Sequence, residues 1–145
     1  MYDIRKILED DLETKMLAHK KKGKTETLDD HLKLTVKKSH EFGLDNVINY
    51  LSDKLKLDTM VVLNLCEDMI FFHDIAKAQP YFQQHKMGIM INDGVEDNRE
   101  LSKHSQLSAH IDFNEHEHLI KDTPNKSKYY VLLIVLTEII AKHHS

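Results

Sequence analysis

One of the most apolar stretches of the chain ends in two residues that can bind metal: Phe71-Phe72-His73-Asp74-Ile75-Ala76-Lys77. Placing an imidazole and a carboxylate beside an apolar core is costly unless a metal or a hydrogen-bond network satisfies them. Adjacent helical residues project about 100° apart, so His73 and Asp74 can reach one ion, or two neighbouring ions, from a single turn. Each oxygen of Asp74 can bind a separate metal, so this residue can bridge two. Lys77, three residues on, can neutralise charge developing on a phosphoryl oxygen. The bland alternative for the pair is a helix C-terminus whose dipole favours a histidine. Three other segments carry similar chemistry. His143 and His144 close a second apolar stretch in AKHHS, where the alternative is a frayed polar terminus. His104 opens HSQLSA, and His31 lies within LDDHL.

Histidine is the compositional outlier, with 11 in 145 residues. It is the commonest metal ligand and a common general acid or base. The other totals describe an ordinary globular chain, 41% hydrophobic and 30% charged, of a length that fits one domain over residues 1–145. The net charge of −4 gives no whole-chain signature of nucleic-acid binding. It does not exclude a nuclease, because bound divalent metals supply the positive field a phosphate needs. A single cysteine, Cys66, excludes an internal disulfide, sits in an apolar run and reads as a small core residue. An intracellular, cytoplasmic location is the expectation. The opening MYDIRKILEDDLE lacks the apolar run of a secretion signal. The longest apolar run, Tyr129 to Leu136, is too short to span a bilayer and is soon followed by Glu138.

Helices must position these residues. Glycine and proline are scarce, and apolar residues recur at helical spacing. Ile4, Ile7, Leu8, Leu12 and Met16 form one stripe. Thr27 and Asp30 resemble a capping box that opens a second helix through about Glu41. Gly43 breaks the chain, and Leu44, Val47, Ile48, Leu51 and Leu55 form a third stripe. Asp58 can cap a fourth helix, Thr59 to Asp74, apolar on most faces and therefore central. Pro80 can start a short helix from Tyr81 to Lys86. Met87 to Lys103 is the least regular stretch and holds the turn signal Asn92-Asp93-Gly94. Further helices are expected from Ser105 to Lys121 and, after Thr123-Pro124-Asn125, from Lys128 to about His143. The expected fold is an all-α helical bundle in a single domain.

The four segments, taken in order, resemble the HD-type nuclease of CRISPR-associated type I interference, a domain joined in many systems to a helicase. The matching residues are LDDHL at 28–32, FHDIAKAQPYFQ at 72–83, HSQLSA at 104–109 and AKHHS at 141–145. The resemblance implies an HD-domain bundle that cleaves DNA, expected to be single-stranded, in antiviral defence. It implies that His31, His73, Asp74, His104, His143 and His144 bind two divalent ions bridged by Asp74. It also implies that Lys77 lies near the transferred phosphate. The implied partners are single-stranded DNA and a helicase domain or subunit with its guide-RNA surveillance complex, without a membrane. The family has a further metal-binding Asp on a later helix. This chain stops at Ser145, so the expectation is a domain truncated at its C-terminal end.

The chemistry holds apart from the family. Two metals lower the pKa of a bound water and clamp a phosphodiester. A nitrogen-rich ligand set favours Mn, Fe, Co, Ni or Zn over Mg. Lys20, Lys21, Lys22 and Lys24, with His19 beside them, read as a solvated loop or alternatively as a phosphate-backbone contact. Tyr81 is a candidate base-stacking residue. Phe71, Phe72, Tyr129 and Tyr130 read as core. His40, His85, His110, His116 and His118 match no motif position, and His116 and His118 are expected to be exposed. Two other classes compete: an HD phosphohydrolase acting on nucleotides, and a catalytically incomplete module that docks a helicase.

Overall fold

In the computed structural model, which describes residues 16–89 and 103–143, the first element is a hairpin. Strands β1 (Leu17–Lys21) and β2 (Lys24–Thr27) pair antiparallel. The two-residue link Lys22-Gly23 has positive φ at both positions, 48° and 78°. That conformation matches the twist of a tight hairpin and is why glycine stands at the second position. The lysine run expected as a loop is therefore the tip of a hairpin. The stripe from Ile4 to Leu12, the turn at Asn92-Asp93-Gly94 and His144 lie outside the described residues.

The helices follow largely where the spacing puts them. Helix α1 (Leu28–Glu41) begins at Thr27, whose Oγ1 accepts from the Asp30 amide and donates to the Asp30 carboxylate. This is the expected cap with Asp in the reciprocal role. Helix α2 (Leu44–Leu55) starts after Gly43, which takes a φ of 98°. Helix α3 (Thr59–Phe72) is capped by the Asp58 carboxylate, which accepts from the amides of Met60 and Val61. A 3-10 turn (Ile75–Ala78) leads to the single turn α4 (Pro80–Phe82) and a π turn, Gln83–Met87. Helices α5 (Ser105–Ile120) and α6 (Lys126–Lys142) then pack along each other.

Helix α3 is the shared wall of two cores. One side joins Val62, Leu65 and Cys66 to Ile48, Leu57, Ile120, Tyr129, Leu132, Leu133 and Leu136. The other joins Phe71 and Phe72 to Ala18, Leu28, Leu32 and Ile75. Burial pushes the Cys66 thiol up to about 11, so it stays protonated and acts as a core residue. The Asp58 amide donates to the Tyr129 hydroxyl, which fixes the start of α6 against the start of α3. Among the described residues the architecture is thus helical, with one small hairpin added. No helix among the described residues is long and apolar enough to cross a membrane.

Candidate metal centre

Helix α3 was expected to run through Asp74 but ends at Phe72. His73 caps it, and Asp74 takes a φ of −120° before the 3-10 turn. This early exit turns the Asp74 carboxylate inward, where it is 2% exposed. Among the described residues, four imidazoles from four parts of the chain meet it. His31, in the first turn of α1, places Nε2 3.0 Å from Oδ2, and His73 places its own 3.3 Å from the same oxygen. His104, just before α5, and His143, at the end of α6, place Nε2 2.8 and 3.0 Å from Oδ1. The rings are tilted or edge-on to one another rather than stacked, with centroids 5.3–5.8 Å apart for His31–His73, His73–His143 and His104–His143. The structure thus assembles His31, His73, Asp74, His104 and His143; the sixth expected ligand, His144, is not described.

Tautomers give this arrangement its chemical meaning. His73 Nδ1 lies 2.6 Å from the Ile70 carbonyl, and His143 Nδ1 lies 2.7 Å from the Ile140 carbonyl. A carbonyl only accepts, so both Nδ1 atoms carry hydrogen. In the neutral rings Nε2 then presents a lone pair to the lone pairs of a carboxylate. Only a cation between them, or a second proton on each ring, relieves that contact. Protonating every ring would place like charges about 5.5 Å apart, at roughly 3 kcal/mol per pair for an effective dielectric of about 20. Divalent ions resolve the conflict with neutral rings. Backbone carbonyls that hold the far nitrogen of a ligating histidine are a usual outer-sphere feature of metal sites. The donor set therefore fits metal. Burial by itself would raise the Asp74 pKa. Where the rings of His104, His31 and His73 turn a proton toward it, they outweigh that effect and hold the carboxyl far below the usual carboxylate range.

Lys77 is 3% exposed, with Nζ 2.7 Å from Asp74 Oδ2 and 5.7 Å from the centre of the Phe82 ring. Its charge balances the carboxylate rather than facing solvent. Phe82 also packs edge-on against His104. Tyr81 is half-buried beside them, while Lys20, Lys21, Lys22 and Lys24 are exposed on the hairpin. Lys20 Nζ donates to the Met87 carbonyl at 3.5 Å.

Several residues matter that the spacing alone does not single out. The ligand nitrogens of His19 and His31 and a carboxylate oxygen of Asp74 lie within 4.8 Å of one another. Glu26, opposite His19 in the hairpin, reaches His31 Nδ1 at 3.3 Å. Burial, with the charges of Lys77 and His31, lowers the His19 pKa. Gln83 is fully buried. Its Oε1 accepts from the Leu17 amide, and its Nε2 donates to the Leu17 and Lys77 carbonyls at 2.9 and 2.6 Å. Ser108 accepts from the Ala76 amide at 3.1 Å and so pins the 3-10 turn to α5.

His116 is not exposed as expected but 2% accessible, on the inner face of α5. Its Nδ1 donates to the Asp112 carbonyl at 2.7 Å, and its Nε2 lies 2.9 Å from Asp68 Oδ2. The two nitrogens face opposite ways, so this trio converges on no shared point, and a proton on each nitrogen is the arrangement that satisfies it. Burial alone would lower the His116 pKa; the Asp112 carboxylate 3.3 Å from Nδ1, the hydrogen bond to the Asp112 carbonyl and the charge of Glu115 raise it instead. Compared with protein-family models, with curated proteins and with solved structures, the chain matches none.

Proposed function

We propose that the chain is a metal-dependent phosphodiesterase of the HD type that cleaves DNA, with single-stranded DNA as its substrate. The observation that carries this reading is the convergence of four imidazoles on both oxygens of one buried carboxylate, two of them with tautomers fixed by backbone carbonyls. His31, His73, His104, His143 and Asp74 would hold two divalent ions, with His144 completing the set. Such ions supply an activated water and a clamp on the phosphodiester. The imidazole-rich donor set favours Mn, Fe, Co, Ni or Zn over Mg.

The chain's own residues do the positioning. Asp74 offers one oxygen to each side. Lys77 pairs with that carboxylate at 2.7 Å and orients it while staying out of solvent. Phe82 fixes the plane of His104 from behind. The exposed lysines of the hairpin provide a basic approach for the phosphate backbone of a strand, and Tyr81 offers a ring on which a base can stack. A helicase and a guide-RNA complex, the partners implied by the four motifs, would deliver that strand.

The test uses purified protein, circular single-stranded DNA and Mn or Ni. Cleavage is expected with wild type and absent in Asp74→Asn. A protein that binds metal stoichiometrically yet leaves the circle intact refutes the nuclease reading. If that protein hydrolyses mononucleotides instead, the substrate is the nucleotide.

A further inference from the structure

We infer that His19, carried by the hairpin, is an additional ligand at the metal position formed by His31 and Asp74; this rests on the metal-centre reading above. The three donor atoms lie within 4.8 Å of one another. Nitrogen and oxygen ligands of one ion at about 2.0–2.2 Å are at most roughly 4.4 Å apart. Closing the set therefore needs a shift of only a few tenths of an ångström. A parallel group, His73, Asp74 and His143, meets the same limit on the other side of the carboxylate. Asp74 is the member common to both groups.

The hairpin is built to hold His19 there. Leu17 pairs with Thr27, but His19 pairs with Glu26, so Ala18 is an extra residue in β1. Such a bulge re-aims the side chain that follows it and is often found next to functional sites. Ala18 is buried among Leu28, Leu32, Phe71, Phe72 and Ile75, which fixes the bulge in the core. Two residues before His19, Leu17 is held through both its amide and its carbonyl by Gln83. The same Gln83 amide bonds the carbonyl of Lys77, which itself contacts Asp74. One buried side chain thus ties the strand carrying His19 to the turn that follows the carboxylate.

The local geometry agrees with a ligand role. The His19 and His31 rings lie edge-on, with centroids 4.8 Å apart and an interplanar angle of 79°. That relation resembles those of the other imidazoles around Asp74. On the far side of His31, Glu26 contacts Nδ1, leaving Nε2 for the centre. The hairpin therefore supplies a ligand and an outer-sphere carboxylate from directly paired positions. His19 is exposed whereas the other members are partly or fully buried. It therefore closes the open side of the centre, next to the basic hairpin tip.

Cobalt(II) titration followed by visible absorption, with elemental analysis of the bound ion, tests this on the full chain. The variant is His19→Gln, with circular dichroism to confirm folding; replacing an exposed side chain should leave the fold intact. Expected is a loss of affinity at one position and unchanged binding at the other. The loss should be at least the roughly 10–100-fold that removal of even an outer-sphere partner causes. A His19→Gln protein that binds every ion as tightly as wild type, with the same cobalt spectrum, overturns the assignment of His19 and leaves the centre itself intact. Wild type that binds no cobalt, nickel or manganese overturns both readings.

Discussion

Replacing Asp74 by Asn separates the two things this carboxylate does. The substitution keeps shape and one acceptor but removes the charge. In wild type, metal at 100 times its dissociation constant should stabilise the fold by about 2.7 kcal/mol per ion. For a chain of this size roughly 2–4 °C accompany each kcal/mol, so each ion should raise the melting temperature by about 5–11 °C. Asp74→Asn should abolish that rise, because both groups of donors share its carboxylate. The metal-free protein should also suffer. Lys77, 3% exposed, loses its counter-charge at 2.7 Å, and breaking a buried pair on one side costs about 3–5 kcal/mol. Adding Lys77→Met to Asp74→Asn should recover much of that loss without restoring any response to metal. Thermal melts of the three proteins, each with added Mn or Ni and each in chelator alone, read all six states. An Asp74→Asn protein whose melting temperature rises with metal as far as wild type's would refute the shared-carboxylate argument.

Stability should depend on pH through His116. Its pKa is raised in the folded chain, so its contribution is complete below the unfolded value near 6.5 and is lost as pH rises through the folded value. Urea titrations from pH 6 to pH 9 should show wild type weakening and His116→Gln flatter; equal slopes would remove His116 from the account. Gln83→Ala deletes three hydrogen bonds to the backbone of Leu17 and Lys77. At about 1 kcal/mol per bond, a loss of roughly 2–4 kcal/mol is expected in urea, together with weaker metal binding at the His19 side. Ser108→Ala exposes no surface but orphans the buried Ala76 amide, at about 1–3 kcal/mol. Replacing Lys20, Lys21, Lys22 and Lys24 by Ala should lower the salt dependence of single-strand binding by roughly 0.7 in logarithmic slope for each phosphate that the lysines neutralise; an unchanged slope would show that DNA does not cross the hairpin.

Helices were legible because their signals are local. Thr27 and Asp58 cap the helices they were expected to cap, and Gly43 marks a real break. The candidate ligands are legible because each lies in its own short segment at or near a helix end. What the pattern hid depends on distant pairing. His19 stands in a run of lysines, and only the hairpin, with its buried Ala18 bulge, carries it to Asp74. A signal was present: Lys22-Gly23 as a two-residue link, with Thr25 and Thr27 following, is a hairpin pattern. Gln83 and Ser108 bond backbone groups 66 and 32 residues away, which no local spacing can reveal. His116 reads as exposed in sequence because Glu115, Glu117 and His118 surround it. In a helix the relevant neighbours are Asp112 and Ile120, four residues either side, and both are buried.

The same i+4 row explains why α5 reads as weakly amphipathic yet is well placed. His104, Ser108, Asp112 and His116 succeed one another along a single ridge of the helix. His104 meets Asp74, Ser108 meets the Ala76 amide, and His116 meets Asp68 of α3. A face that would ordinarily bury leucine is instead polar, and it sets the position of α5 relative to the turn that carries the carboxylate. Asp112 shows what this arrangement costs. It is 1% exposed, and neither carboxylate oxygen accepts a hydrogen bond among the described residues. Its compensation is the His116 ring, 3.3 Å away. Removing that charge would leave a buried carboxylate with less to offset it, so α5 is expected to be seated less firmly where His116 loses its second proton. Loss of that proton is therefore expected to loosen α5 and, through His104, the candidate metal centre three helical turns away.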